Sequence, residues 1–216
     1  MQTIKFADRI VGACNAALAA AGFQLPRKTT RIIPLTDEIY GWVGLNRSKA
    51  GDALRIDPFV GLHSLPIMRL WYELDSKRNL RYRLGETASA AVHLGELAPD
   101  VGIFLFEPGR APDAEAERLA ETVMAHGLPW MREHARNEAL LDLFREREDM
   151  LGGYPERIAV SLFLLGRLDE LSAYLDARQA EYAGKPSSWE EVLTSWRQFA
   201  AGLRARMPVR ARADGA

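Results

Sequence analysis

The sequence predicts an α+β protein: an N-terminal helix, an antiparallel sheet of four or five strands, then a helical C-terminal half. Three observations predict it. Apolar residues recur at helical spacing over residues 3–21, alternate with period two between Thr30 and Phe106, and return to helical spacing after Pro112. Strands gathered in one stretch and helices in another, without alternation, mark α+β rather than a parallel α/β fold.

In the first helix Phe6, Ile10, Cys14, Ala17 and Leu18 share a face, Lys5, Asp8, Arg9 and Asn15 lie elsewhere on the turn, and Gly22 ends the segment. Next, Ile39, Gly41, Val43 and Leu45 alternate with Tyr40, Trp42, Gly44 and Asn46, the pattern of a strand with two distinct faces. A second strand spans Ala53 to Leu62, and the polar stretch from Arg47 to Asp52 reads as the hairpin loop between them. Matching the apolar faces sets Leu45 opposite Leu54, Val43 opposite Ile56 and Ile39 opposite Val60. On the other face it sets Trp42 opposite Asp57, Tyr40 opposite Phe59 and Gly44 beside Arg55. Pro58 argues for an edge or a bulge, because it has no N–H to give to a ladder. Ser64 to Asp75 reads as a short helix on Ile67, Leu70, Trp71 and Leu74, with Pro66 admissible in its first turn. Leu80 to Leu84 fits no single pattern. Thr87 to Leu97 and Val101 to Phe106 read as two further strands, separated by Ala98-Pro99-Asp100 and closed by Pro108-Gly109.

In the rear half Asp113 is placed to cap a helix with Glu115 and Glu117 near its N-terminus, and Ala116, Leu119, Ala120 and Val123 form its stripe. Pro129 breaks or kinks that line, and Leu140, Leu141 and Phe144 continue a stripe until Gly152-Gly153. The helix opened by Pro155 is apolar on all sides from Ile158 to Leu165, which predicts a central position. Leu168, Leu171, Leu175 and Tyr182 mark the next helix. Ser188 with Glu191 forms a capping box for the last, which is expected to bury Val192, Trp196, Phe199 and Leu203. The chain thus divides into residues 1–110, a helix plus sheet, residues 111–207, helices packed on it as one continuous body, and residues 208–216, a flexible tail carrying Arg210 and Arg212. The helical pair 155–183 lacks a second copy at a fixed period, which argues against a solenoid.

At 216 residues, 48% hydrophobic and 26% charged, the chain can bury a core without disulfide or metal staples. Its net charge of −1 gives no positive field, so no nucleic-acid partner is expected. Cys14, the single cysteine, cannot form an internal disulfide, and Lys5, Asp8 and Arg9 interrupt the apolar opening, so a reducing, cytoplasmic setting is expected. No stretch reaches the roughly 18 apolar residues of a membrane helix, so no membrane partner is expected. Arginine far outnumbers lysine and alanine is abundant, the bias of a GC-rich bacterial genome.

Motifs for chemistry are missing. His63, His93, His126 and His134 lack zinc-ligand spacing, no Gly-x-Ser-x-Gly elbow exists, and the glycines around Trp42 lie inside a strand rather than before a helix. No metal, cofactor or catalytic residue is assigned. The most informative cluster is the second face of the hairpin: Tyr40, Trp42, Arg55, Asp57, Phe59 and His63. Aromatic platforms with an arginine and a carboxylate are the makings of an interaction hot spot or a small-ligand cleft, whereas the plain reading has them covered by helices as core. An alternative pairs Asp57 and Glu86 with His63 or His93 as a hydrolase or ligand-binding site between sheet and helices.

The segments Ala21 to Phe23, Tyr40 to Arg47, Leu54 to Leu62 and Gly127 to Trp130 together resemble a group of uncharacterised bacterial domains of unknown function, mainly over residues 1–135. The resemblance implies a helix, a curved antiparallel sheet and trailing helices, and carries no catalytic residues across. The expected role is non-enzymatic recognition of a protein partner, immunity-like or adaptor-like.

Overall fold

The computed structural model describes residues 2–74, 82–101, 103–147, 150–152 and 154–208. Helix α1 (Gln2–Ala20) buries Ile10, Cys14 and Leu18. Gly22 at φ +94° ends it, so that the N–H of Phe23 returns to the Leu18 carbonyl, a closure that requires the left-handed region.

Six strands follow among the described residues: β1 (Gln24–Arg27), β2 (Thr30–Pro34), β3 (Ile39–Ala50), β4 (Ala53–Ser64), β5 (Ala90–His93) and β6 (Phe104–Phe106). They form one antiparallel sheet in the order β1-β2-β3-β4-β5, with β6 also on β4. The α+β class and the helix–sheet–helices order are as expected: among the described residues five strands run in one path, and the short β6 adds to β4. β1 and β2 escape a periodicity search because each is short and holds a proline, Pro26 or Pro34. The strand expected over Thr87 to Leu97 is only β5. The Glu96 carboxylate accepts from the His93 N–H at 3.1 Å and starts a single helical turn, α3 (Leu94–Leu97).

The β3–β4 hairpin corrects the predicted register. Both strands run on through the expected loop to a turn at Gly51-Asp52, with Gly51 at φ +62°. Trp42 therefore lies opposite Gly61 rather than Asp57, Tyr40 opposite His63 rather than Phe59, and Arg55 opposite Ser48 rather than Gly44. Val43 faces Val60, Ile39 faces Ser64, and Leu45 faces Pro58. The slip is an even number of residues, so each side chain keeps its predicted face: alternation fixes the face and leaves the pairing free by steps of two. Pro58 falls between the stretches of β4 that pair with β6 (Leu54 to Ile56) and with β5 (Phe59 to Leu62), where its missing N–H interrupts no ladder.

Helix α2 (Leu65–Leu74) buries Ile67, Met68, Trp71 and Leu74. The ambiguous stretch from Leu80 falls partly on residues 75–81, outside the described residues, as does Gly102. Helix α4 (Asp113–Thr122) starts after Pro112 in the N-cap position, so Asp113 is its first residue rather than its cap. It continues through a π turn (Val123–Gly127) into α5 (Leu128–Glu133). Pro129 sits in the first turn of α5 and does not break the line. α6 (Asn137–Glu146), α7 (Pro155–Leu164), α8 (Leu168–Ala183) and α9 (Glu190–Arg204) complete the rear half. α7 is central as predicted, packed by α2, α6 and α8.

At the start of α9 a 3-10 turn (Ser187–Trp189) replaces the expected capping box, with Trp189 in the N-cap position. Leu193 rather than Val192 is then buried, and Val192 is 41% exposed. Gly153 and the tail 209–216 lie outside the described residues. One apolar cluster runs from Ile10 through Val43, Val60 and Ile158 to Leu203, on the sheet face formed by Val43, Leu45, Ile56 and Leu62.

Candidate functional site

The second face of the sheet splits along its length. At one end the indole of Trp42 lies over Gly44, two residues ahead on the same face: a Cβ at Gly44 would meet the ring at 2.3 Å. Gly61, opposite Trp42, lets β5 approach, since its Cβ would stand 2.1 Å from the Ala90 carbonyl oxygen. The segment Tyr82 to Ser89 closes over this end. Trp42 Nε1 donates to the Gly85 carbonyl at 3.0 Å, and Ile32, Trp42, Ala88 and Ala91 form a small second core edged by Tyr40 and Phe59.

His63 is fully buried under the same segment. Its Nδ1 lies 2.7 Å from the Thr87 carbonyl and its Nε2 2.9 Å from the Tyr82 hydroxyl. A carbonyl only accepts, so Nδ1 carries the proton and Nε2 accepts from Tyr82. Burial, helped by the charge of Arg157 and opposed by the Thr87 hydrogen bond, lowers the imidazole pKa below the ordinary 6.5. Burial likewise raises the Tyr82 hydroxyl, so both groups stay neutral. Arg157, 2% exposed on α7, donates from Nη1 to the Ser89 and Gly152 carbonyls and holds its guanidinium 4.8 Å from the Trp71 ring centre. This arginine fastens the covering segment to the helical half. Sequence reading missed both Tyr82 and Arg157, because their partners are backbone carbonyls and a buried ring distant in the chain.

At the other end the face stays open. Ser48, Arg55 and Leu105 form one cross-strand row and Gly44, Phe59 and His93 another, with Asn46 and Asp57 between. Arg55 Nη2 meets Asp57 Oδ2 at 3.3 Å, and His93 Nδ1 is 3.4 Å from Asp57 Oδ1. The His93 ring packs on Phe59 with centres 3.9 Å apart. Leu105 is 46% exposed although both neighbours, Phe104 and Phe106, are buried on the opposite face. Beside this patch a recess of about 480 Å³ is lined by Phe59, His93, Glu96, Arg147, Leu151 and Tyr154 among others. Leu151 (45%) and Tyr154 (44%) stand exposed on its rim.

Of the six expected site residues, Arg55, Asp57 and Phe59 share the open half, Trp42 and His63 are core, and Tyr40 lies half-buried at the covered end. Trp42 and His63 do not reach a partner docked on this face, because residues 82–89 close over them. For the alternative site, Asp57 and His93 come together, His63 is committed to Thr87 and Tyr82, and the exposed Glu86 makes no hydrogen bond or ion pair with Asp57 among the described residues. His93 and Leu105 join the patch through strand pairing, which only the register reveals.

Among the described residues no group of three or more histidine, cysteine or acidic side chains could hold a metal ion, and no helix is long and apolar enough to cross a membrane. No family model, curated protein or solved structure matches the chain. The site's own chemistry is the guide to function.

Proposed function

We propose that this is a cytoplasmic bacterial recognition protein, immunity-like or adaptor-like, that binds a protein partner through the open half of the sheet face. The observation that carries the reading is the row Ser48–Arg55–Leu105. It sets an exposed leucine beside a held arginine–carboxylate pair, with Phe59 and the Leu151–Tyr154 rim alongside. An apolar anchor point surrounded by polar groups is the anatomy of a protein interface. Because Leu105 stands on a strand whose neighbours are buried, the patch is rigid and presented without an ordering cost. The partner it suits offers an apolar side chain for the recess and charged groups for Arg55 and Asp57.

The test is photocrosslinking in cells from position 105, with position 192 on α9 as the exposed control. A discrete adduct from 105 alone, whose purified partner loses binding at least about tenfold to Leu105→Asp, supports the reading. Equal adducts from both positions, or unchanged binding by the variant, overturn it.

One observation favours a second reading, a small-ligand or hydrolytic site. Asp57 contacts Nδ1 of His93, and His93 lines the recess, an arrangement that orients an imidazole as a general base. His93→Gln would then abolish turnover or small-ligand binding.

A further inference from the structure

A second cavity, of about 1240 Å³, opens on the opposite face of the sheet. There the β3–β4 hairpin overruns the helices beneath it. Along the core face of β3, Val43 and Leu45 are buried, and the next two residues on that face are the exposed Arg47 and Lys49. Their cross-strand partners, Ile56 and Leu54, are apolar and buried, so the register supplies neither cation with a carboxylate. The opposite wall comes from α1, with Phe6 and Arg9, whose guanidinium lies over the Phe6 ring at 5.8 Å. The third side is the β1–β2 turn: Asn15 Nδ2 holds the Lys28 carbonyl at 3.0 Å, and Lys28 Nζ meets Asp8 at 2.7 Å.

Among the described residues four cations thus face one groove with two carboxylates, Asp8 and Asp52, in a chain whose net charge is −1. Asp8 is already taken by Lys28. The hydrogen bond and charge of Lys28, with the charge of Arg47 added, hold its carboxyl below the usual range, as a locally positive field requires. Arg9, Arg47 and Lys49 form no salt bridge among the described residues.

We infer that this groove binds a small molecule carrying phosphate groups, with the phosphates on Arg47 and Lys49 and an apolar portion against Phe6 and Leu54. Guanidinium and ammonium groups on two walls suit several oxyanion oxygens at once. The volume accommodates a ligand larger than phosphate alone. The site lies across the sheet from the proposed protein-binding patch, and the two share only Ser48 at the hairpin end.

Calorimetric titration of the full chain with inorganic pyrophosphate at about 50 mM salt tests the inference, with amide NMR shifts as the map. The expected result is saturable binding at one site, shifts centred on Gly51 and Gly109, and at least about tenfold weakening in R47A/K49A. A control variant, Lys185→Ala, should leave binding unchanged. Both substituted residues are exposed, so circular dichroism should show R47A/K49A folded. Unsaturable shifts scattered over all basic residues, or binding unaffected by R47A/K49A, overturn the site. Citrate binding as tightly as pyrophosphate overturns the phosphate assignment. If pyrophosphate fails to bind while R47A/K49A self-associates, Arg47 and Lys49 guard the end of β3 that runs past its pairing with β2 instead, and the inference fails.

Discussion

The Nε2 of His63 accepts the Tyr82 hydroxyl at 2.9 Å beneath the covered half of the sheet, and this bond fixes a neutral imidazole in the fold. The unfolded chain takes up a proton near the ordinary pKa of 6.5, whereas the folded imidazole resists it to lower pH. Between those two values the unfolded state binds more protons, so folding stability falls as pH drops below 6.5 and is whole above it. Urea unfolding of wild type and His63→Gln between pH 5 and 8 reads this. Wild type should lose an extra increment on acidification, at most about 1.4 kcal/mol per pH unit, that the variant does not show. Parallel pH profiles would contradict a buried neutral His63.

Gly61 and Gly51 should respond very differently to alanine. At Gly61 the new methyl would stand 2.1 Å from the Ala90 oxygen, so β5 must move off β4, costing about 3 kcal/mol or more. At Gly51 nothing lies within 4 Å and only the φ of +62° resists, a cost of about 1 kcal/mol. Denaturant midpoints rank the two.

Arg157→Lys should fail to replace arginine. Lysine keeps the charge and loses the planar guanidinium whose Nη1 serves both the Ser89 and Gly152 carbonyls while its plane lies by the Trp71 ring. Leaving buried carbonyls short of donors should cost about 2–3 kcal/mol. Amide exchange should rise first in residues 85–89, the segment this arginine anchors. A loss of protection confined to α7 would indicate a role in helix packing alone.

Cys14 should be inert to thiol reagents in the native state. It is completely buried on α1, and burial pushes its thiol up to about 12. At pH 8 its modification rate should therefore follow global unfolding, accelerating with urea in step with the loss of helix signal. Rapid labelling in buffer would show that α1 detaches on its own.

How much of this was legible depended on whether the cause was local. The faces of β3 and β4, the central α7 and the stripe of α2 follow from spacing, because burial on one side imposes a period on the chain. The pairing of Trp42 with Gly61 does not, since slips of two residues preserve both faces and the turn at Gly51 decides among them. Of the candidate site, Arg55, Asp57 and Phe59 were readable as sharing a face. Their separation from Trp42 and His63 was not, because it depends on where residues 82–89 lie, and those residues are fixed by Arg157 and Tyr82 rather than by periodicity.

The π turn at Val123–Gly127 acts as a phase shifter between two halves of one rod. The half before it, α4, meshes with α1, whereas the half after it, α5, meshes with β3 and β4. A surplus residue in a helix turns everything beyond it by about 100°, and that rotation delivers Met131 of α5 against Gly41, while Gly127 at the end of the turn packs on Val60. Deleting the exposed Ala125 would restore an ordinary helix and set α5 out of phase with the sheet. A single surface residue thus keeps the timing between two interfaces, and removing it should disturb the core more than replacing it with any other helix-forming residue.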